Sequence, residues 1–162
     1  MRPNSAYLRI SSKSTLRWDL QDSSINMKLE DVVIKTVAAF SNSQGGTLLI
    51  GVADDGEIVG LDHDYNSLGG ADRDKFELHL RNLLNQQFGT GFITSKVVIK
   101  FHEIGDKEVC QIETASAKKP VIVTPKDKNG QPVERFYVRS GNSSQEMQQS
   151  EMIKYIEERF HC

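Results

Sequence analysis

Along residues 28–61 the apolar positions change period twice, and the rest of the chain is organised around that stretch. Leu29, Val32, Val33, Thr36, Val37 and Phe40 fall at helical spacing and make one stripe, with Lys28, Glu30, Asp31 and Lys35 off it, where water is expected. Asn42 and Ser43 end this helix. Gly45 and Gly46 turn the chain, because a residue without Cβ takes positive φ at little cost. Residues 47–52 are β-branched or leucine apart from Gly51, the pattern of a central strand covered on both faces. Asp54-Asp55-Gly56 is hairpin chemistry, and residues 57–61 read as the returning strand.

The flanking patterns are plainer. In residues 15–20 (TLRWDL), Leu16, Trp18 and Leu20 alternate with Thr15, Arg17 and Asp19, which predicts a half-buried strand. Residues 1–14 are polar apart from Tyr7, Leu8 and Ile10. They read as an N-terminal arm, either loose or an edge strand, ahead of a single domain over 15–162. Residues 62–74 read as a loop, from which Asp72 or Asp74 caps a second helix reaching Phe88, with Phe76, Leu80, Leu83 and Leu84 inward. Gly89 and Gly91 stop it. Strands over 96–104 and 108–114 follow, joined by Gly105-Asp106-Lys107. Then come a short strand at 121–123, an Asn129-Gly130 hairpin signal and a strand at 134–139. A polar loop leads to a last helix over 150–160, with Met152, Ile153, Ile156 and Phe160 on one side. Strands joined by short turns run antiparallel. The fold class is therefore α/β in the α+β sense: a mixed, mostly antiparallel sheet with about three helices.

Composition changes this picture little. The 162 residues, 38% hydrophobic and 26% charged, suffice for one sizeable core. A net charge of −2 does not mark a nucleic-acid binder, although a local basic face matters more than the sum. Cys110 lies in a strand-like run and Cys162 at the terminus, which fits a reducing cytoplasm better than a disulfide scaffold. No apolar run approaches the about 20 residues of a membrane span, and the N-terminus lacks the apolar core of a signal peptide.

Four candidate chemistries compete with plainer structural roles. The Gly45-Gly46 turn lacks the spacing and the Lys-Ser/Thr of a P-loop, so with Gly51 it reads as structural. Asp54, Asp55, Asp62 and Asp64, with His63 between, suit a hard cation, but turns also recruit aspartate for backbone hydrogen bonds. No nucleophile motif surrounds any serine, and His79 reads as solvated. Lys96, Lys100, Lys118, Lys119, Lys126, Lys128, Arg135 and Arg139 concentrate in the second half beside Tyr137. There RSGNSS offers small donors to phosphate oxygens, unless this is an ordinary solvated face.

Three motifs carry a family resemblance. VAAFSNSQGGTLLIGVADDGEIVGL resembles the hallmark of the Schlafen group's Alba-like nucleic-acid-binding domain. ERFYVRSGNSS with its terminal helix resembles that family's second signature, and TLRWDL sits where its first strand belongs. The resemblance spans residues 12–160. It implies an α/β domain binding DNA or RNA. RNA-cleaving Schlafens hold a divalent metal on three carboxylates; the matching positions here are Ser12, Arg17 and Asp54 or Asp55. One carboxylate holds too little charge for that chemistry, and Arg17 would repel the cation. Those enzymes embrace duplex RNA with two such lobes, which implies a homodimer here.

The expectation is therefore a cytoplasmic nucleic-acid-binding module without catalysis or cofactor, contacting phosphates through Arg17, Lys118, Lys119, Arg135, Arg139 and Asn142. One rival is a ribonuclease using magnesium or manganese on Asp19, Asp54 and Asp55. Another is a protein-interaction or oligomerisation domain.

Overall fold

The computed structural model describes residues 9–70 and 72–161. Its elements are β1 (Ile10–Lys13), β2 (Trp18–Asp19), β3 (Ser24–Ile25), α1 (Lys28–Ser41), β4 (Gly46–Ile50), α2 (Asp62–Ser67) and α3 (Arg73–Phe88), then α4 (Thr90–Lys96), β5 (Val97–Ile104), β6 (Lys107–Thr114), β7 (Phe136–Ser140), β8 (Ser143–Met147) and α5 (Gln149–Arg159). A four-stranded sheet runs β1-β4-β6-β5. Its β1–β4 pair is parallel and the other two pairs are antiparallel. Two hairpins, β2–β3 and β7–β8, stand apart from it. This is the mixed, mostly antiparallel α+β fold expected. Among the described residues no helix is long and apolar enough to cross a membrane.

The core forms where the predicted periods meet. Val33, Val37 and Phe40 of α1 are fully buried with Leu48 and Ile50 of β4 and Ile112 of β6, and α3 adds Phe76, Leu80 and Leu84. Each such side chain contributes about 1.5–3 kcal/mol relative to exposure. Leu48 and Ile50 alternate with half-buried Thr47 and Leu49, so β4 is sealed on one face rather than both. Gly46 is required by contact: a Cβ there would lie 2.4 Å from the Phe40 ring and 2.7 Å from the Arg9 carbonyl. Gly45, at φ 78°, takes the left-handed turn that precedes it.

Several expectations are corrected. The first strand of the sheet is β1, not TLRWDL. Residues 10–13 are thus an edge strand, while Tyr7 and Leu8 lie outside the described residues, as does Cys162. Only Trp18 and Asp19 of TLRWDL pair, in the small hairpin; Leu16 is buried and Leu20 is 44% exposed. Residues 57–61 and 121–123 form no strands and keep single bridges, Val52 with Ile58 and Val123 with Arg135. The polar loop after Arg139 contains β8. The described residues hold five helices, not three, because α2 and α4 fill the supposed loop and the Gly89–Gly91 stop.

One buried carboxylate explains the path of TLRW. Asp64 of α2 is fully buried and accepts the backbone N–H groups of Leu16, Arg17 and Trp18 at 2.8, 3.0 and 3.1 Å. Those bonds serve the N–H groups that a longer strand would have given to a neighbour. Burial pushes the Asp64 carboxyl above its usual range, against the pull of these donors and of Arg17.

Candidate functional site

The C-terminal end of α1 is where distant segments converge. Asn42 is fully buried and fixes two of them. Its Nδ2 donates to the carbonyls of Val121 and Tyr137 at 2.8 and 2.9 Å, and its Oδ1 accepts the Val121 N–H at 2.8 Å. The Tyr155 hydroxyl of α5 donates to the Asn42 carbonyl at 2.5 Å. The Asn42 side chain thus ties residue 121 and the β7–β8 hairpin to the end of α1, and its backbone carbonyl holds α5 there.

Two arginines are carried in with those elements. Arg139 of β7 lies over the Phe40 ring, 5.0 Å from its centroid. Its Nη1 and Nη2 donate to Ser144 Oγ and the Asn142 carbonyl at 3.0 and 2.8 Å, and its buried Nε has no hydrogen-bond partner. Burial lowers its pKa, but a guanidinium stays charged at neutral pH. Arg159, at the end of α5, donates through Nε and Nη2 to the Ser43 carbonyl at 3.2 and 2.8 Å, and through Nη2 to the Ala117 carbonyl at 2.9 Å and the Ser116 hydroxyl. It thereby places a cation just past the C-terminal end of α1, where one is favoured. Arg9, before β1, donates to the Gln44 carbonyl at 3.4 Å.

Arg9, Arg139 and Arg159 line one cleft of about 300 Å³ together with Ser43, Gly45 and Tyr155, and among the described residues no carboxylate lines it. Three forked cations around a small-residue turn match an anion with several acceptor oxygens, which guanidinium groups hold in bidentate fashion. Of the sequence-predicted residues, Arg139 and Gly45 meet here, and Asn142 reaches the cleft only through the carbonyl that accepts from Arg139. Arg9 and Arg159 were missed. Arg159 sits four residues after Tyr155, one helical turn on, but nothing local links either to the Gly45 turn.

The other candidates lie elsewhere. Lys118 and Lys119 border a separate groove with Phe88 and Phe92. Arg135 pairs with Glu146 at 2.9 Å across the β7–β8 hairpin. Arg17 turns to Glu30, 3.8 Å away, and its side chain is 13% exposed. Glu30, expected in water, is only 3% exposed and meets His79 Nε2 at 2.5 Å. His79 is therefore a partner of a buried carboxylate and not a solvated bystander. Gly46 and Gly51 are structural in position, Gly51 donating to the Lys13 carbonyl at 2.8 Å just after β4.

The acids considered for a metal are dispersed. Asp19 accepts the N–H groups of Gln21 and Asp22 in the β2–β3 turn, and these lower its pKa despite a smaller opposing effect of burial. Asp55 accepts the Glu57 N–H at 2.9 Å, Asp54 is exposed beside it, and Ser12 pairs with Leu49 in the sheet. Among the described residues no three His, Cys, Asp or Glu side chains gather as a metal site.

Residues 9–148 match the family model described as Schlafen, AlbA_2. No curated protein matches the chain in sequence. A solved structure with a similar fold is the DIP2311 protein from Corynebacterium diphtheriae, at TM-score 0.58 and 20% identity over 94% of this chain. The chain spans 28% of that protein's length.

Proposed function

The chain belongs to the Schlafen AlbA_2 family, and from that premise we propose that it is a nucleic-acid-binding module that grips the phosphate backbone of DNA or RNA without cleaving it. The observation that carries the reading is the cleft of Arg9, Arg139 and Arg159, which no carboxylate of the described residues lines. A phosphodiester offers acceptor oxygens to guanidinium N–H groups, a contact that carries no sequence information. Binding is then sequence-independent and driven by release of condensed cations. A homodimer belongs to the same proposal, since two copies would line a duplex from two sides.

The test is fluorescence anisotropy with labelled duplex DNA and duplex RNA across a salt series, with and without magnesium or manganese, each sample then run on a denaturing gel. Three phosphate contacts give a log–log salt slope of about −2 to −3, and Arg139→Gln reduces its magnitude by about one. Arg9→Gln does the same from a different segment. Salt-insensitive binding, or none to either duplex, overturns the proposal, and metal-dependent cleavage overturns its non-catalytic part.

A further inference from the structure

A second cavity, separate from the arginine cleft, has a different chemistry. Gly89, at φ 84°, separates α3 from α4 and brings Phe88, the last residue of α3, beside Phe92 in the first turn of α4. Their rings stack with centroids 5.2 Å apart and planes 20° from parallel, and both are half-buried. The segment over 117–122 runs along the far side. It is fixed to α3 by Gln87, whose Oε1 accepts the Thr124 N–H at 2.9 Å and whose Nε2 donates to the Thr124 carbonyl at 3.4 Å.

Between them lies a groove of about 440 Å³ with Phe88 and Phe92 on one wall and Lys96, Lys118, Lys119 and Ile122 around it; among the described residues no carboxylate lines it. Lys118 and Lys119 are exposed and, among the described residues, neither makes an ion pair. An aromatic wall beside unpaired ammonium groups fits an occupant with flat rings spaced along an anionic chain.

We infer that this groove takes the unpaired bases of a single-stranded segment of DNA or RNA, with Lys118 and Lys119 on its phosphates. The inference rests on the backbone-binding reading above and adds a preference to it. Aromatic side chains and cations together are what sequence-tolerant single-strand sites use, because every base has a π-face. A duplex keeps its bases stacked on one another and gains nothing from the rings. The cleft and the groove are separate cavities joined by one arginine. Arg159 binds the Ser116 hydroxyl and the Ala117 carbonyl, and Ala117 in turn lines the groove ahead of Lys118. A strand leaving the arginines would pass over residues 116–119 onto the aromatic wall.

The test compares three labelled probes on the whole chain: oligo(dT), an abasic oligomer with the same number of phosphates, and a duplex. Oligo(dT) is expected to bind about tenfold tighter than the abasic strand, and Phe92→Leu to remove most of that difference without altering duplex binding. The double variant Lys118→Ala/Lys119→Ala, at exposed positions, is expected to weaken both single strands and spare the duplex. It keeps the test decisive should Phe92→Leu fail to fold. Equal binding of oligo(dT) and the abasic strand, with duplex binding intact, overturns this inference alone. An acidic aromatic peptide that displaces oligo(dT) from the groove at lower concentration than DNA also overturns it. Loss of all three probes overturns the backbone-binding reading and this one with it.

Discussion

Replacing Asp64 by alanine tests the seam between α2 and TLRW. Asp64→Ala removes the acceptor of three backbone N–H groups at once. The Leu16 N–H is buried, so stranding it costs about 1–3 kcal/mol. The Arg17 and Trp18 N–H groups are partly buried, and water recovers some of their loss, leaving about 0.5–1 kcal/mol each. The sum, about 2–5 kcal/mol, is a large share of the 5–15 kcal/mol typical of a domain. Asp64→Asn keeps one carbonyl oxygen but turns an NH₂ toward a backbone donor, and should cost about 1–3 kcal/mol. Urea unfolding measures both, and hydrogen exchange at Leu16, Arg17 and Trp18 localises the effect. A loss below about 1 kcal/mol for Asp64→Ala at an unchanged m-value would refute the reasoning, because it would mean that other groups already satisfy those donors.

Gly46→Ala should destabilise by about 1–3 kcal/mol, because the new methyl meets the Phe40 ring and the Arg9 carbonyl; a melting temperature equal to the parent's would contradict this. Glu108 feels a raising effect of burial, outweighed by its bonds from Arg73 and Tyr65, so its folded pKa lies below 4.5. Its contribution is thus present above pH 4.5 and lost as pH falls through the lowered value. Glu108→Gln should flatten that part of the acid limb in urea titrations at a series of pH values, and an unaltered limb would count against the pairing.

The parts of the fold legible in the sequence are those whose signal is local. The stripe of α1, the Gly45-Gly46 turn and the β5–β6 hairpin each declare themselves within a few residues. Asp72 likewise caps α3 as its side-chain chemistry requires, accepting the Asp74 N–H at 2.7 Å. β8 escaped because SSQEM has no apolar alternation to betray a strand whose register is set by β7. α2 escaped because DHDYNS buries only Asp64 and Tyr65, one by hydrogen bonds and the other against Phe76. Glu30 was misread for a tertiary reason. The polar flank of α1 faces α3, where His79 supplies a partner that no helical wheel of α1 contains. The arginine cleft was half legible: RSGNSS pointed to Arg139, whereas Arg9 and Arg159 join it only after β1 and α5 dock on either side of the Gly45 turn.

Trp18 is the only tryptophan in the chain, and its ring stacks on His63 of α2, centroids 5.9 Å apart and planes 4° from parallel. Its backbone N–H is also one of the three held by Asp64. The protein therefore carries its own optical gauge, and that gauge sits on the seam instead of in the Phe40–Phe76 core. Emission should change as soon as α2 parts from TLRW, while far-UV ellipticity waits for the sheet and the long helices to melt. A gap between the two denaturation curves would measure how much sooner that seam opens, with no label attached.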